Sequence, residues 1–138
     1  KIMSSFKKEN FQNNPFLQHI FLGYYLKKDA PDYITTLKKL EIKTFVGVIY
    51  EIPYIENYDL VSLSNLFDWS DEKLIKKSTK FLSKLSSGSG VILRQLNNSK
   101  DWSPFFNNSF YEDPSFNIYW KKKDRSMFYD NFRFYIKR

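Results

Sequence analysis

The stretch Tyr58-Asp59-Leu60-Val61-Ser62-Leu63-Ser64-Asn65-Leu66-Phe67-Asp68-Trp69 constrains the fold more than any other part of this chain. An apolar run of strand length passes straight into a polar, acid-bearing turn, and a helix signal follows at once. Ser70 stands at the N-cap position. Asp71 and Glu72 fall in the first turn, where carboxylates meet the positive end of the helix dipole. Open α/β sheets hold their ligand sites in such strand–turn–helix units, beyond the carboxyl ends of the strands. Function is therefore expected around Ser64, Asn65, Asp68 and Trp69.

The rest of the pattern fits an α/β sheet. Short β-branched or apolar runs predict strands over 42–47, 58–63, 91–96 and 132–136, while 116–120 reads as a strand or a short helix. Asn14-Pro15 opens a helix that should run to Lys28, apolar on most sides and so buried between layers. Gly23 in its middle points to close packing against another backbone, and Asp29-Ala30-Pro31 breaks it. A short second helix is expected over 32–40. The helix over 71–85 turns Leu74, Ser78, Phe81, Leu82 and Leu85 inward, and Lys73, Lys76, Lys77, Lys80 and Lys84 form its solvated face. Residues 99–114 read as a loop holding Pro104 and Pro114, and 121–126 as a polar turn. Strands joined through helices imply parallel pairing with right-handed crossovers, and the last two strands an antiparallel pair at one edge. The expected division is a helical segment over 1–41 that packs on the sheet, and a sheet domain over 42–138.

Composition narrows the class. The 138 residues suffice for one domain with a core, and 42% apolar content excludes a disordered chain. Cysteine is absent, which removes disulfides, thiolate catalysis and cysteine-ligated metal. A single histidine, His19, on an apolar helix reads as structural, and no metal site is expected. No run of about 18 apolar residues exists to span a bilayer. A net charge of +7 with 20% aromatic residues suits an anionic partner or an acidic membrane surface. A nucleic-acid module would gather its basic residues on one face beside exposed rings. Here the lysines are spread along the chain, so no nucleic-acid partner is expected.

Three segments carry a family resemblance. Asn14-Pro15-Phe16-Leu17 through Gly23-Tyr24 and Ala30-Pro31-Asp32-Tyr33-Ile34, then Leu63-Ser64-Asn65 with Asp68-Trp69, then Asp124-Arg125-Ser126 with Tyr129, follow one another in order over nearly the whole chain. Together they resemble the S-adenosylmethionine:diacylglycerol 3-amino-3-carboxypropyl transferases, which begin betaine-lipid synthesis on a class I methyltransferase-type, Rossmann-like fold. The Gly-rich turn after that fold's first strand and the acid after its second have no counterpart here. The resemblance therefore implies the C-terminal half of such a domain, with the N-terminal half supplied by another chain or by sequence outside this one. The chain begins at Lys1, without an initiator Met, which agrees with that expectation. In the sheet of that fold the strands run third, second, first, fourth, fifth, seventh, sixth. Strand 42–47 would be the third and 58–63 the fourth.

The resemblance implies S-adenosylmethionine as cofactor, a lipid substrate, and a cytoplasmic enzyme with peripheral contact at a membrane. Asp68 is the candidate base or contact to the cofactor amino group, against a plain helix-entry carboxylate. Ser64 and Asn65 are candidates for the cofactor, against turn stabilisation. Trp69 would stack on adenine or meet lipid, against core packing. Arg94, inside an apolar strand, needs a partner, either a cofactor carboxylate or a protein one. Asn97, Asn98, Arg125 and Tyr129 are assigned to the acceptor side, with Arg125 also able to pair with Asp124. An ordinary methyltransferase and a non-catalytic basic binding or scaffolding module are the competing classes.

Overall fold

The computed structural model describes residues 11–36, 41–96, 100–124 and 128–138. Of the site candidates, Asn97, Asn98 and Arg125 lie outside the described residues, as do 37–40 of the second expected helix. Two compact units divide the chain between 44 and 45, with Asp124 assigned to the first.

In the first unit, helix α1 spans Pro15–Leu22 and starts as the sequence dictates: Asn14 Oδ1 accepts the Phe16 N–H at 3.0 Å, and Pro15 fills the first helical position. It stops earlier than expected. Gly23 is not an interior packing glycine but the left-handed C-cap, at φ 74°, donating its N–H to His19 O at 3.1 Å. A Cβ there would meet nothing within 4 Å, so close packing does not explain this glycine. Gln18 is buried and sews down the following turn, donating to Gln12 O and Asp29 Oδ2 at 2.7 Å each and accepting the Leu26 N–H at 2.9 Å. Burial between layers does not hold for α1. Pro15, Leu17 and Gln18 are buried, whereas Phe16, Ile20, Leu22 and, at 71%, Phe21 are exposed. His19 stacks on Tyr25 with ring centroids 5.0 Å apart. Helix α2 is the short turn Asp32–Thr35.

The second unit is an α/β sandwich built on a four-stranded mixed sheet. Its strands are β1 (Leu60–Ser62), β2 (Gly90–Gln95), β3 (Phe110–Glu112) and β4 (Asn131–Lys137), in the order β1-β2-β4-β3. β1 and β2 are parallel, joined through helix α3 (Glu72–Leu82), and β4 runs antiparallel to both β2 and β3. An antiparallel pair does close one edge, but between β3 and β4, not between 116–120 and 132–136, and β4 is inserted beside β2. A helix, α5 (Pro114–Lys123), joins β3 to β4 instead of a polar turn.

Side chains alternate across this sheet as the pleat requires. Val91, Leu93 and Gln95 face α3 and the short helix α4 (Ser103–Phe106), and there they are buried with Ile75, Leu82, Phe106 and Tyr135. Phe106 stacks on Tyr135 at 4.2 Å between centroids and meets Phe110 edge-on at 5.6 Å. On the other face, Phe116 and Trp120 of α5 pack on Phe134 and Phe132, each at 4.7 Å. Gly90 is needed where it stands: a Cβ would come within 2.6 Å of the Phe134 ring.

Several sequence expectations are corrected. Residues 42–47 form no strand. The β-branched composition suits a pleat, but a strand forms only against a neighbour, and Val46 stands 99% exposed. That removes the expected third strand. Asp71, not Ser70, caps α3, its Oδ1 accepting the Leu74 N–H at 2.7 Å, while the Ser70 hydroxyl donates to Leu66 O at 2.9 Å. The loop expected over 99–114 contains α4, where Pro104 sits in the first turn, and β3, which exists because β4 supplies its partner. Residues 116–120 are helical, and 121–123 continue that helix. The α3 lysines are exposed as expected, and Lys77 Nζ lies 3.6 Å from the Tyr50 ring centroid.

Candidate functional site

Parallel pairing decides where the polar groups gather. β1 and β2 run the same way, so both exits lie at one rim of the sheet. The ladder continues past the strand ends, with Leu63 N–H on Ile92 O and Arg94 N–H on Ser64 O, both at 2.9 Å. The chain then turns sharply. Ser64 holds φ 50°, a left-handed conformation costly for a residue with a side chain, and Leu66–Trp69 closes one turn of 3-10 helix. This turn carries Asp68 back over the end of β2, where its Oδ2 accepts the Leu96 N–H at 2.6 Å. The carboxylate thus clasps the two strand exits together.

Arg94 projects from the face opposite the core, alongside Ile92. Its Nη2 donates to the Ser62 hydroxyl at 3.2 Å, and its guanidinium carbon lies 4.9 Å from the centroid of the Tyr129 ring. The Tyr129 hydroxyl lies 3.4 Å from the Ser64 hydroxyl, which in turn is 3.5 Å from Asn65 Oδ1. Tyr129 therefore spans from the entry of β4 across Arg94 to the turn after β1. Arg94 Nε is buried and meets no hydrogen-bond acceptor among the described residues.

Five of the sequence candidates, Ser64, Asn65, Asp68, Arg94 and Tyr129, are thus brought to one rim. Core packing of Trp69 is overturned, since the residue is 74% exposed at the end of the turn. Arg94 has no carboxylate partner among the described residues, so the expected protein salt bridge is absent there too. Ser62 escaped the sequence reading. Its position two residues before Ser64, on the face shared with Arg94, was the available signal. An apolar groove of about 330 Å³ borders the free edge of β1, lined by Phe45, Val48, Ile52, Tyr58, Leu60 and others.

A second polar cluster lies on the core side of β4. Arg133 pairs with Glu112 at 3.0 Å and Asp101 at 3.2 Å and also donates to the Ser103 hydroxyl, which accepts a further bond from the Tyr135 hydroxyl at 3.3 Å. Burial works against the Arg133 charge, but Tyr135, Glu112 and Asp101 outweigh it and raise its pKa. Burial pushes the Tyr135 phenol up. The Ser103 hydroxyl and N–H hold the Asp101 carboxyl below the usual value, against a small opposing effect of burial and with help from Arg133. Every polar group named here has a protein partner, and together they tie α4, β3 and β4. Its partners are scattered from 101 to 135, so no local motif announced it.

Among the described residues no group of histidine, aspartate and glutamate side chains could hold a metal ion, and no helix is long and apolar enough to cross a membrane. Set against protein-family models, curated proteins and solved structures, the chain finds no match.

Proposed function

We propose that this chain is the C-terminal, catalytic-side half of a Rossmann-like S-adenosylmethionine-dependent transferase that passes the 3-amino-3-carboxypropyl group to a diacylglycerol hydroxyl. The observation that carries this reading is the meeting of Ser64, Asn65, Asp68, Arg94 and Tyr129 at the exits of the one parallel strand pair. Ligand sites of open α/β sheets occupy that position.

The sheet order supports it. A parallel pair, then a reversed strand, then a fourth strand antiparallel to that one is the sequence expected for the fourth, fifth, seventh and sixth strands of the class I sheet. In that sheet the first strand lies against the fourth, and here β1 is the edge strand, bordered by an apolar groove. The nucleoside-binding turn and acid belong to strands this chain does not supply, so those contacts to the cofactor are assigned to the completing half.

When bound, S-adenosylmethionine would supply a methylene carbon activated by its sulfonium toward the lipid hydroxyl, with methylthioadenosine as the leaving group. In this reading Asp68 receives the hydroxyl proton, worth roughly 10²–10⁴-fold in rate. Ser64 and Asn65 hold polar groups of the cofactor. Trp69 offers its exposed ring to the adenine or the lipid, and Tyr129, with Asn97, Asn98 and Arg125, serves the acceptor. Alignment of the two reactants contributes several kcal/mol. A lipid acceptor agrees with the +7 charge and the exposed indole beside the turn.

Calorimetry with S-adenosylmethionine on this chain, and on a longer chain carrying the completing half, tests the assignment. The expected result is binding by the longer chain, with release of methylthioadenosine when diacylglycerol is added. Asp68→Asn keeps the acceptor for Leu96 and should lower turnover with binding retained. Failure of both chains to bind overturns the reading.

A further inference from the structure

We infer that Arg94 is the receptor for an oxyanion, a carboxylate or phosphate group, carried by whatever ligand occupies this rim. The argument is independent of the transferase reading. The sheet holds two arginines, Arg94 on β2 and Arg133 on β4, with opposite provision. Arg133 is neutralised by Glu112 and Asp101 and has the Ser103 hydroxyl as well. Arg94 has one hydroxyl, from Ser62, and no carboxylate among the described residues. Its Nε–H is buried and meets no acceptor among the described residues, while its Nη2 end is open to solvent, and a buried donor left unmet is costly. A side chain placed only to fill space in a strand would not carry that charge.

The surroundings orient the guanidinium without neutralising it. The Tyr129 ring lies against one flank, 4.9 Å away, and Ser62 tethers one terminal nitrogen. Stacking and tethering fix the plane of the fork, and a fixed planar fork with spare N–H groups matches two oxygens of one carboxylate or phosphate. Tyr129 reaches Ser64 through a single bond at 3.4 Å, long for two hydroxyls. The left-handed Ser64 and the Asp68 clasp hold the opposite wall of the rim.

The chain has four arginines, so NMR of the full protein with nitrogen-labelled arginine gives one Nε–H signal for each, assigned with Arg94→Lys. Inorganic phosphate and acetate are titrated separately, with chloride at matched ionic strength as the control. The expected result is a saturating shift of the Arg94 signal with phosphate, acetate or both, beyond that seen with chloride and ahead of the other three. A response to phosphate alone assigns a phosphate-bearing ligand, and one to acetate alone a carboxylate-bearing ligand. Affinity for the active anion, followed by the Tyr129 ring resonances, should fall about tenfold in Arg94→Lys, which keeps the charge and loses the fork. An Arg94 signal that no anion moves beyond chloride, or Arg94→Lys binding as tightly as the parent, overturns the inference. Anion binding at Arg94, with S-adenosylmethionine ignored by both this chain and the longer one, would leave this receptor standing and remove the transferase reading. The converse result would remove only the receptor.

Discussion

Gly90→Ala tests the strand register on which the rim depends. Gly90 pairs with Leu60 on β1 and Ile136 on β4, and an added methyl would lie 2.6 and 2.8 Å from two carbons of the Phe134 ring and 3.0 Å from Leu60 Cδ1. Ordinary carbon–carbon contact is about 3.5–4.0 Å, so the ring must retreat by about 1 Å. Leu60 is more than half exposed and can swing away, whereas Phe134 is held by Phe116 at 4.7 Å. Overpacking of this kind costs about 1–3 kcal/mol, partly offset by about 0.4–1 kcal/mol from the stiffer unfolded chain. The net expectation is a loss of about 1–2 kcal/mol. With a urea slope of about 2 kcal/mol/M, the unfolding midpoint falls by about 0.5–1 M, read by tryptophan fluorescence. Adding Phe134→Leu should return part of the loss, with a coupling of about 1 kcal/mol between the two sites. A neutral or stabilising Gly90→Ala, or strict additivity with Phe134→Leu, would refute the pairing of β2 with β4 as described.

Asp71→Ala, which deletes the cap on the Leu74 N–H, should destabilise the chain by about 1 kcal/mol in the same urea assay, whereas Ser70→Ala should cost less. Acid unfolding should respond to Asp101 and Asp113, both held below their ordinary value of 3.8, the first mainly by the Ser103 hydroxyl and the second by the Ser115 hydroxyl. A depressed folded pKa means that the unfolded chain takes the proton first. Their contribution is therefore complete above 3.8 and is lost as the pH falls below it through the folded values. The Asp101→Asn and Asp113→Asn double variant should show a shallower loss of stability across that acid range.

Part of the candidate rim was legible because Ser64, Asn65 and Asp68 sit within one local unit. An apolar run entering Ser64, Asn65 and Asp68 ahead of a charged helix start identifies a strand exit without knowledge of the partner strands. Arg94 was legible for a similar reason, being a charge in an otherwise apolar strand. What composition misjudged depended on distant partners. Residues 42–47 have a strand's composition and no neighbour, while Phe110–Glu112 have little signal of their own and become a strand by pairing with β4. Gly23 failed as an interior residue because a glycine inside an apolar run marks a helix end as readily as a close contact, and only its φ of 74° distinguishes the two. Arg133 was invisible as the centre of a network because Asp101, Ser103 and Glu112 meet it only after three elements have assembled.

The insertion of β4 between β2 and β3 has a consequence for biosynthesis. A ribosome delivers β1, α3, β2 and β3 first, yet β2 and β3 cannot touch each other, since the strand that separates them has still to emerge. Until then β2 has an open flank and 110–112 lack the neighbour that makes them a strand, while translation continues at roughly 5–20 residues per second. A nascent chain stalled before residue 131 would be a natural client for chaperones, and arrival of the last strand would release it.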